Sequence, residues 1–121
     1  ILPERISKGA FGPVVREGDE QWYDIVAWTL YALINAEEAG VTTFNIQSLE
    51  AAKTRRIRRL LGLEQSLGPS IGLEQGFMAN IIRAVGNYGE IFDRHLAPLG
   101  LERGLNSLWT EGGLLYAPPY R

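Results

Sequence analysis

The stretch from Glu20 to Ala39 constrains this chain more than any other. Trp22, Ile25, Val26, Thr29, Leu33 and Ala36 recur at spacings of three and four, the mark of one helix face. A second row holds Tyr23, Ala27, Leu30 and Ile34, and a third holds Trp28 and Tyr31. Asp19 is a favoured N-cap type, and Glu20 and Asp24 place negative charge near the positive helix end. Gly40 follows where a left-handed residue ends a helix. An ordinary surface helix carries one apolar stripe. This one is apolar over most of its circumference, so it must be covered on more than one side.

The residues before it say the same thing differently. Residues 1 to 10 carry Pro3, Gly9 and Ala10 among charged positions and read as an extended connector. Phe11-Gly12-Pro13-Val14-Val15-Arg16 is a short β-like run, which Pro13 confines to an edge, a bulge or a crossover. A lone strand leaves backbone groups unpaired on both edges and is not stable by itself in water. The expected strand and the over-apolar helix both call for a sheet that this chain does not supply. They point to a fragment of an α/β protein. The opening Ile1-Leu2-Pro3-Glu4, without an initiator Met or a signal-peptide pattern, leads to the expectation of a longer precursor or parent.

Beyond Val41 the pattern is helical but broken. Asn45 or Ser48 is positioned to cap a short helix through Lys53, and a second helix is expected from Thr54 to Leu61, ended by Gly62. Gly62, Gly68, Gly72 and Gly76 with Pro69 imply turns. Phe77, Ile81, Ile82 and Val85 predict a helix ended by Gly86. Tyr88, Ile91, Phe92 and Leu96 predict another from about Asn87, and Leu101 to Trp109 a last short one. The tail from Leu114 to Arg121 is too apolar to float and is expected to lie on a surface. The reading is therefore a mainly α chain of about six helices and one crossover strand.

Composition excludes several classes of function. With 121 residues, 45% of them hydrophobic, the chain can bury a core and is not intrinsically disordered. A net charge of −2 gives no global attraction to nucleic acid or anionic lipid. Zero Cys removes disulfides, thiolate metal sites and Cys nucleophiles, while fitting either an oxidising or a reducing compartment. No apolar run approaches the roughly 18 residues of a membrane span.

Four constellations could carry chemistry. Gly68-Pro69-Ser70-Ile71-Gly72 fits G-x-S-x-G, with Asp93 and His95 following in hydrolase order. That elbow needs a strand before the serine, and Leu63 to Leu67 reads as helix or loop. Asp93 and His95, two apart on one predicted helix, point in different directions. His95 is the only His, too few for a zinc site, and Glu90 is spaced to pair with Arg94. Arg55, Arg56, Arg58 and Arg59 surround the apolar face of Ile57, Leu60 and Leu61. They could contact phosphates, or form a solvated face balanced by Glu50 and Glu64, which the net charge favours. Trp22, Trp28 and Trp109 could stack sugars or bases, but helical spacing makes Trp22 and Trp28 packing residues. With no G-x-G-x-x-G and no Walker sequence, there is no phosphate loop. No catalytic residue, cofactor or metal is assigned.

Longer stretches carry a family resemblance. Residues Ile1 to Lys8, Phe11 to Arg16, Gly18 to Val26, Arg59 to Gly62, Val85 to Phe92, Arg103 to Trp109 and Gly112 to Pro119 resemble the last third of a solute-binding protein. The chain is similar, over nearly its whole length and in one order, to the general L-amino-acid-binding periplasmic proteins of ABC importers. That family often carries an acidic residue and a Pro where Gly9-Ala10 stand here. The resemblance implies a non-enzymatic, periplasmic fragment of a two-lobed α/β protein (periplasmic-binding-protein type II) that closes on an L-amino acid and delivers it to an ABC permease. By analogy, residues 1–17 are the crossover returning through the hinge to the first lobe, 18–44 the helix packing on that lobe, and 45–121 a helical C-terminal extension with a surface-bound tail. Gly9 and Gly12 would supply permissive dihedrals there, which makes Gly9, Gly12 and Pro13 the hinge candidates. The family's ligand-clamping groups lie mainly in earlier parts of the chain, so no ligand-binding residue is assigned. The other reading is a small independent helical interaction domain using the Arg55–Arg59 helix. A fragment cut from its sheet is expected to dimerise, swap strands or leave residues 1–17 poorly ordered.

Overall fold

In the computed structural model, residues 9, 11–51, 54–65 and 67–119 are described. The connector read at residues 1–8 and 10, the expected helix end at Lys53 and the last tail residues Tyr120 and Arg121 lie outside that set. Among the described residues the fold is helical: α1 (Glu20–Glu38), α2 (Arg55–Leu60), α3 (Phe77–Val85) and α4 (Tyr88–His95), joined by short 3₁₀ turns. Two of the expected helices are shorter and tighter than the pattern suggested. Ser48–Ala51 is a 3₁₀ turn, and Leu101 to Trp109 resolves into the 3₁₀ turns Gly104–Asn106 and Trp109–Glu111.

The long helix forms where expected. Asp19 caps it, its side chain accepting from the Trp22 amide at 3.0 Å. Gly40, at φ 67°, turns the chain at the other end. Asn87 starts α4 with a reciprocal capping box: its side chain accepts from the Glu90 amide while the Glu90 carboxylate accepts from the Asn87 amide, each at 2.9 Å.

The expected strand does not form. Phe11 to Arg16 takes no regular structure and is mostly exposed, with Phe11 and Val14 almost bare, and among the described residues no strand appears anywhere. The closest thing is an isolated parallel bridge between Leu108 and Leu115. The physical reason is the one that made a lone strand doubtful: a strand is defined by a hydrogen-bonded neighbour, and none of the described residues offers one.

The core sits at the C-terminal half of α1. Ala32, Leu33 and Ala36 pack with Met78 and Ile82 of α3 and Leu60 of α2, all buried. Helix α1 rests on α3, α4 and the Gly68–Ile71 turn. Gly62 follows the end of α2, its amide donating to the Arg59 carbonyl at 3.0 Å. At φ 72° it also approaches the Gln75 backbone carbonyl so tightly that no Cβ fits.

Candidate functional site

The two halves of α1 live in different surroundings. From Ala32 to Ala36 every residue is buried. Towards the N-terminus, Trp22 is 51% and Tyr23 55% exposed, and Ile25 to Tyr31 are only half-buried. Trp22, read from its spacing as a packing residue, is only partly covered by the described residues. Trp28 does pack on the core and meets Tyr31 edge to face at 5.7 Å.

Pro13 and Val15 run beside this open half. Pro13, Val15, Tyr23, Val26, Leu30 and Tyr31 line a cleft of about 160 Å³. Pro13, Trp22, Ile25, Thr29 and Leu33 line an adjoining cleft of about 310 Å³ that is nearly all apolar. Burying each half-exposed large side chain of this face would contribute on the order of 1 kcal/mol. A patch of this kind marks an interface rather than ordinary surface. Of the hinge candidates, Pro13 lines both clefts, while Gly9 and Gly12 are exposed. A Cβ on Gly12 would meet nothing within 4 Å.

Other candidate residues are placed differently. Ser70 lies on the 3₁₀ turn Gly68–Ile71 and donates its amide to Leu67, a geometry unlike a strand-to-helix elbow. The His95 Nε2 accepts from its neighbour Arg94 at 3.2 Å, and Asp93 and His95 are both exposed. Among the described residues no group of three His, Asp or Glu is arranged to hold a metal ion.

The arginine helix is partly neutralised by two carboxylates. Arg56 reaches Glu38 at 2.9 Å, Arg58 reaches Glu64 at 2.8 Å, and Arg55 lies 3.5 Å from the same carboxylate. The Arg58 hydrogen bond, against slight burial, holds the Glu64 carboxyl below its ordinary range, with the charges of Arg58, Arg55 and Arg59 adding to it. Glu38 and Glu64 offset part of this charge, which lessens the pull on a phosphate without cancelling it.

Glu90 does not seek Arg94 as the spacing suggested. Its carboxylate accepts from the Thr43 hydroxyl at 2.6 Å, from the Thr43 amide at 3.2 Å and from the Asn87 amide, while Arg94 donates to the Val85 carbonyl. Burial pushes its carboxyl up, but the bonds from Thr43 and Asn87, with the Arg94 charge, outweigh this and leave it lowered. A capping residue is committed to the backbone before it can pair one turn on.

Three structural positions escaped sequence reasoning. Asn35 is buried inside α1, accepts from Arg56 at 2.9 Å and donates to the carbonyls of Tyr31 and Pro118. An asparagine in the middle of an apolar helix was the available signal. Arg103 binds Glu37 at 2.8 Å, lies over the rings of Tyr88 and Phe92 at 5.5 and 5.2 Å, and donates to the Asn106 carbonyl. Burial raises the Glu37 carboxyl despite the opposing charge and hydrogen bond of Arg103. Gly89 makes room for the pair: a Cβ there would stand 2.9 Å from Glu37 Oε1 and 3.1 Å from Arg103 Nη1. Neither Arg103 nor Gly89 gave any local pattern.

An open apolar helix face beside an unpaired extended segment is what a piece of a larger α/β protein exposes, and the comparisons agree. The chain corresponds along its whole length to a partial segment of the periplasmic amino-acid-binding proteins of ABC transporters. It is 52% identical to the General L-amino acid-binding periplasmic protein AapJ of Rhizobium johnstonii and 53% identical to the Glutamate/glutamine/aspartate/asparagine-binding protein BztA of Rhodobacter capsulatus. It is 47% identical to the Putative amino-acid ABC transporter-binding protein YhdW of Escherichia coli K12. All of the chain is covered in each case, and it spans 37% of each relative's length. Among solved structures, an ABC transporter periplasmic binding protein from Brucella ovis with glutathione bound matches with a TM-score of 0.90 at 47% identity. That match covers 99% of this chain and 39% of the other. No protein-family model matches.

Proposed function

We propose that the chain is the C-terminal part of a periplasmic, non-enzymatic solute-binding protein that captures L-amino acids and delivers them to an ABC permease. What carries the reading is identity near 50% along the whole chain to proteins of that kind, joined to the bare apolar half of α1. In this reading residues 1–17 return from the second lobe through the hinge, with Gly9, Gly12 and Pro13 absorbing the rotation. Residues 18–44 carry α1 onto the first lobe, whose sheet covers Trp22, Tyr23 and Val26. Residues 45–121 extend that lobe. The groups that clamp the amino acid lie mainly in the remainder of the protein, and no residue of this chain is assigned to them.

The test is calorimetry on the full-length parent and on the isolated chain with L-glutamate and L-glutamine. The parent is expected to bind at micromolar concentration or tighter, and the isolated chain is not. A parent that binds no L-amino acid overturns the reading.

A further inference from the structure

We infer that the tail residues 115–118 form a strap that positions the Pro13–Val15 segment, acting through Leu30 and Tyr31 of α1. The strap itself stands on the packing of this chain; only its consequence for ligand binding rests on the receptor reading above.

The strap is pinned at its end by Asn35. This side chain is 2% exposed, and a buried amide is tolerated only when its groups are paired. Its Nδ2 donates to Tyr31 at 2.9 Å and to Pro118 at 2.8 Å, and its Oδ1 accepts from Arg56. One of those partners comes from 83 residues away, so Asn35 is satisfied only while the tail is seated. The start of the strap is fixed separately. The Trp109 amide donates to the Leu115 carbonyl at 3.0 Å, and the Leu115 amide to the Ser107 carbonyl at 3.1 Å. Between these anchors Ala117 is buried against Ile34 and Leu108.

Leu30 and Tyr31 link the strap to the crossover segment. Both pack against the Ile34–Leu108–Ala117 cluster on one side. Both line the cleft with Pro13 and Val15 on the other. Leu30 and Tyr31 are the side chains common to both, so unseating the tail is expected to shift them and, with them, the wall of the cleft that Pro13 and Val15 share. In a receptor whose hinge is that segment, the strap would bias the balance between open and closed states.

Two experiments decide this. In the full-length receptor, Ala117→Glu forces a carboxylate into a buried position and drives the tail off. Methyl NMR then reads Ile34, which reports the tail, and Val15, which shares its cleft with the rings of Tyr23 and Tyr31. Movement of both signals is expected, whereas an Ile34 shift with Val15 unmoved overturns the inference. Should Ala117→Glu unfold the chain, deletion of residues 117–121 gives the same reading. In the full-length receptor the same change is expected to weaken L-glutamate binding by about threefold or more, as a smaller closure-competent fraction requires. An unchanged affinity overturns the coupling to the hinge. A wild-type receptor that binds no amino acid overturns the receptor reading instead, while the methyl experiment still judges the strap.

Discussion

Asn87→Ala tests the joint between α1 and α4. The wild-type side chain does two things at once. Its oxygen accepts from the Glu90 amide at 2.9 Å, capping α4. Its Nδ2 donates to the Val41 carbonyl at 2.8 Å, just past the end of α1. Val41 is 0% exposed, so water cannot replace that donor. Loss of the cap costs about 1 kcal/mol. Leaving a buried carbonyl unpaired costs roughly 1–3 kcal/mol more. Together the variant should lose about 2–4 kcal/mol, a large share of the roughly 5–15 kcal/mol that stabilises a domain. Urea unfolding followed by circular dichroism measures the loss, with an unchanged slope showing that the unfolded state is unaltered. Asn87→Ser retains a capping oxygen and should recover about 1 kcal/mol of the loss. An Asn87→Ala chain destabilised by less than about 1 kcal/mol would refute the claim that this side chain satisfies a buried carbonyl.

Further outcomes are equally specific. The folded-state carboxyl of Glu90 is lowered, so its stabilisation is present above the ordinary Glu range near pH 4.5 and fades as pH falls through the lower folded value. Glu90→Gln should flatten that acid limb in a pH series of urea midpoints, and an unaltered limb contradicts the assignment. Gly89→Ala should destabilise by up to about 1 kcal/mol, because its methyl group crowds the ends of Glu37 and Arg103 while alanine's helix propensity offsets part of the cost. A neutral result in thermal unfolding would show that the pair yields easily. The isolated chain should self-associate through the bare half of α1, and Tyr23→Glu should return it to monomer in sedimentation. A monomeric wild type at hundreds of micromolar refutes that.

Local rules account for most of the correct readings. Asp19, Gly40, Asn87 and Gly62 mark helix ends because capping and left-handed turns depend on a few neighbouring residues. The break between Gly62 and Gly76 was visible for the same reason. Partner choice was not visible. Glu90 has Arg94 one turn away and Thr43 far off in sequence, yet it bonds Thr43, because the fold brings that hydroxyl to 2.6 Å. The β-like run over Phe11 to Arg16 forms no strand among the described residues because β propensity expresses a preference for a sheet and does not supply the neighbouring strand.

The amino-acid order alone determined the long helix, its limits and its excess of apolar faces, since periodicity and capping are properties of adjacent residues. Only the tertiary structure decided which half of that helix is covered. Burial requires a neighbour brought from elsewhere in the chain, and α3, α4 and the tail reach Ala32 to Ala36 but leave Trp22 and Tyr23 in water.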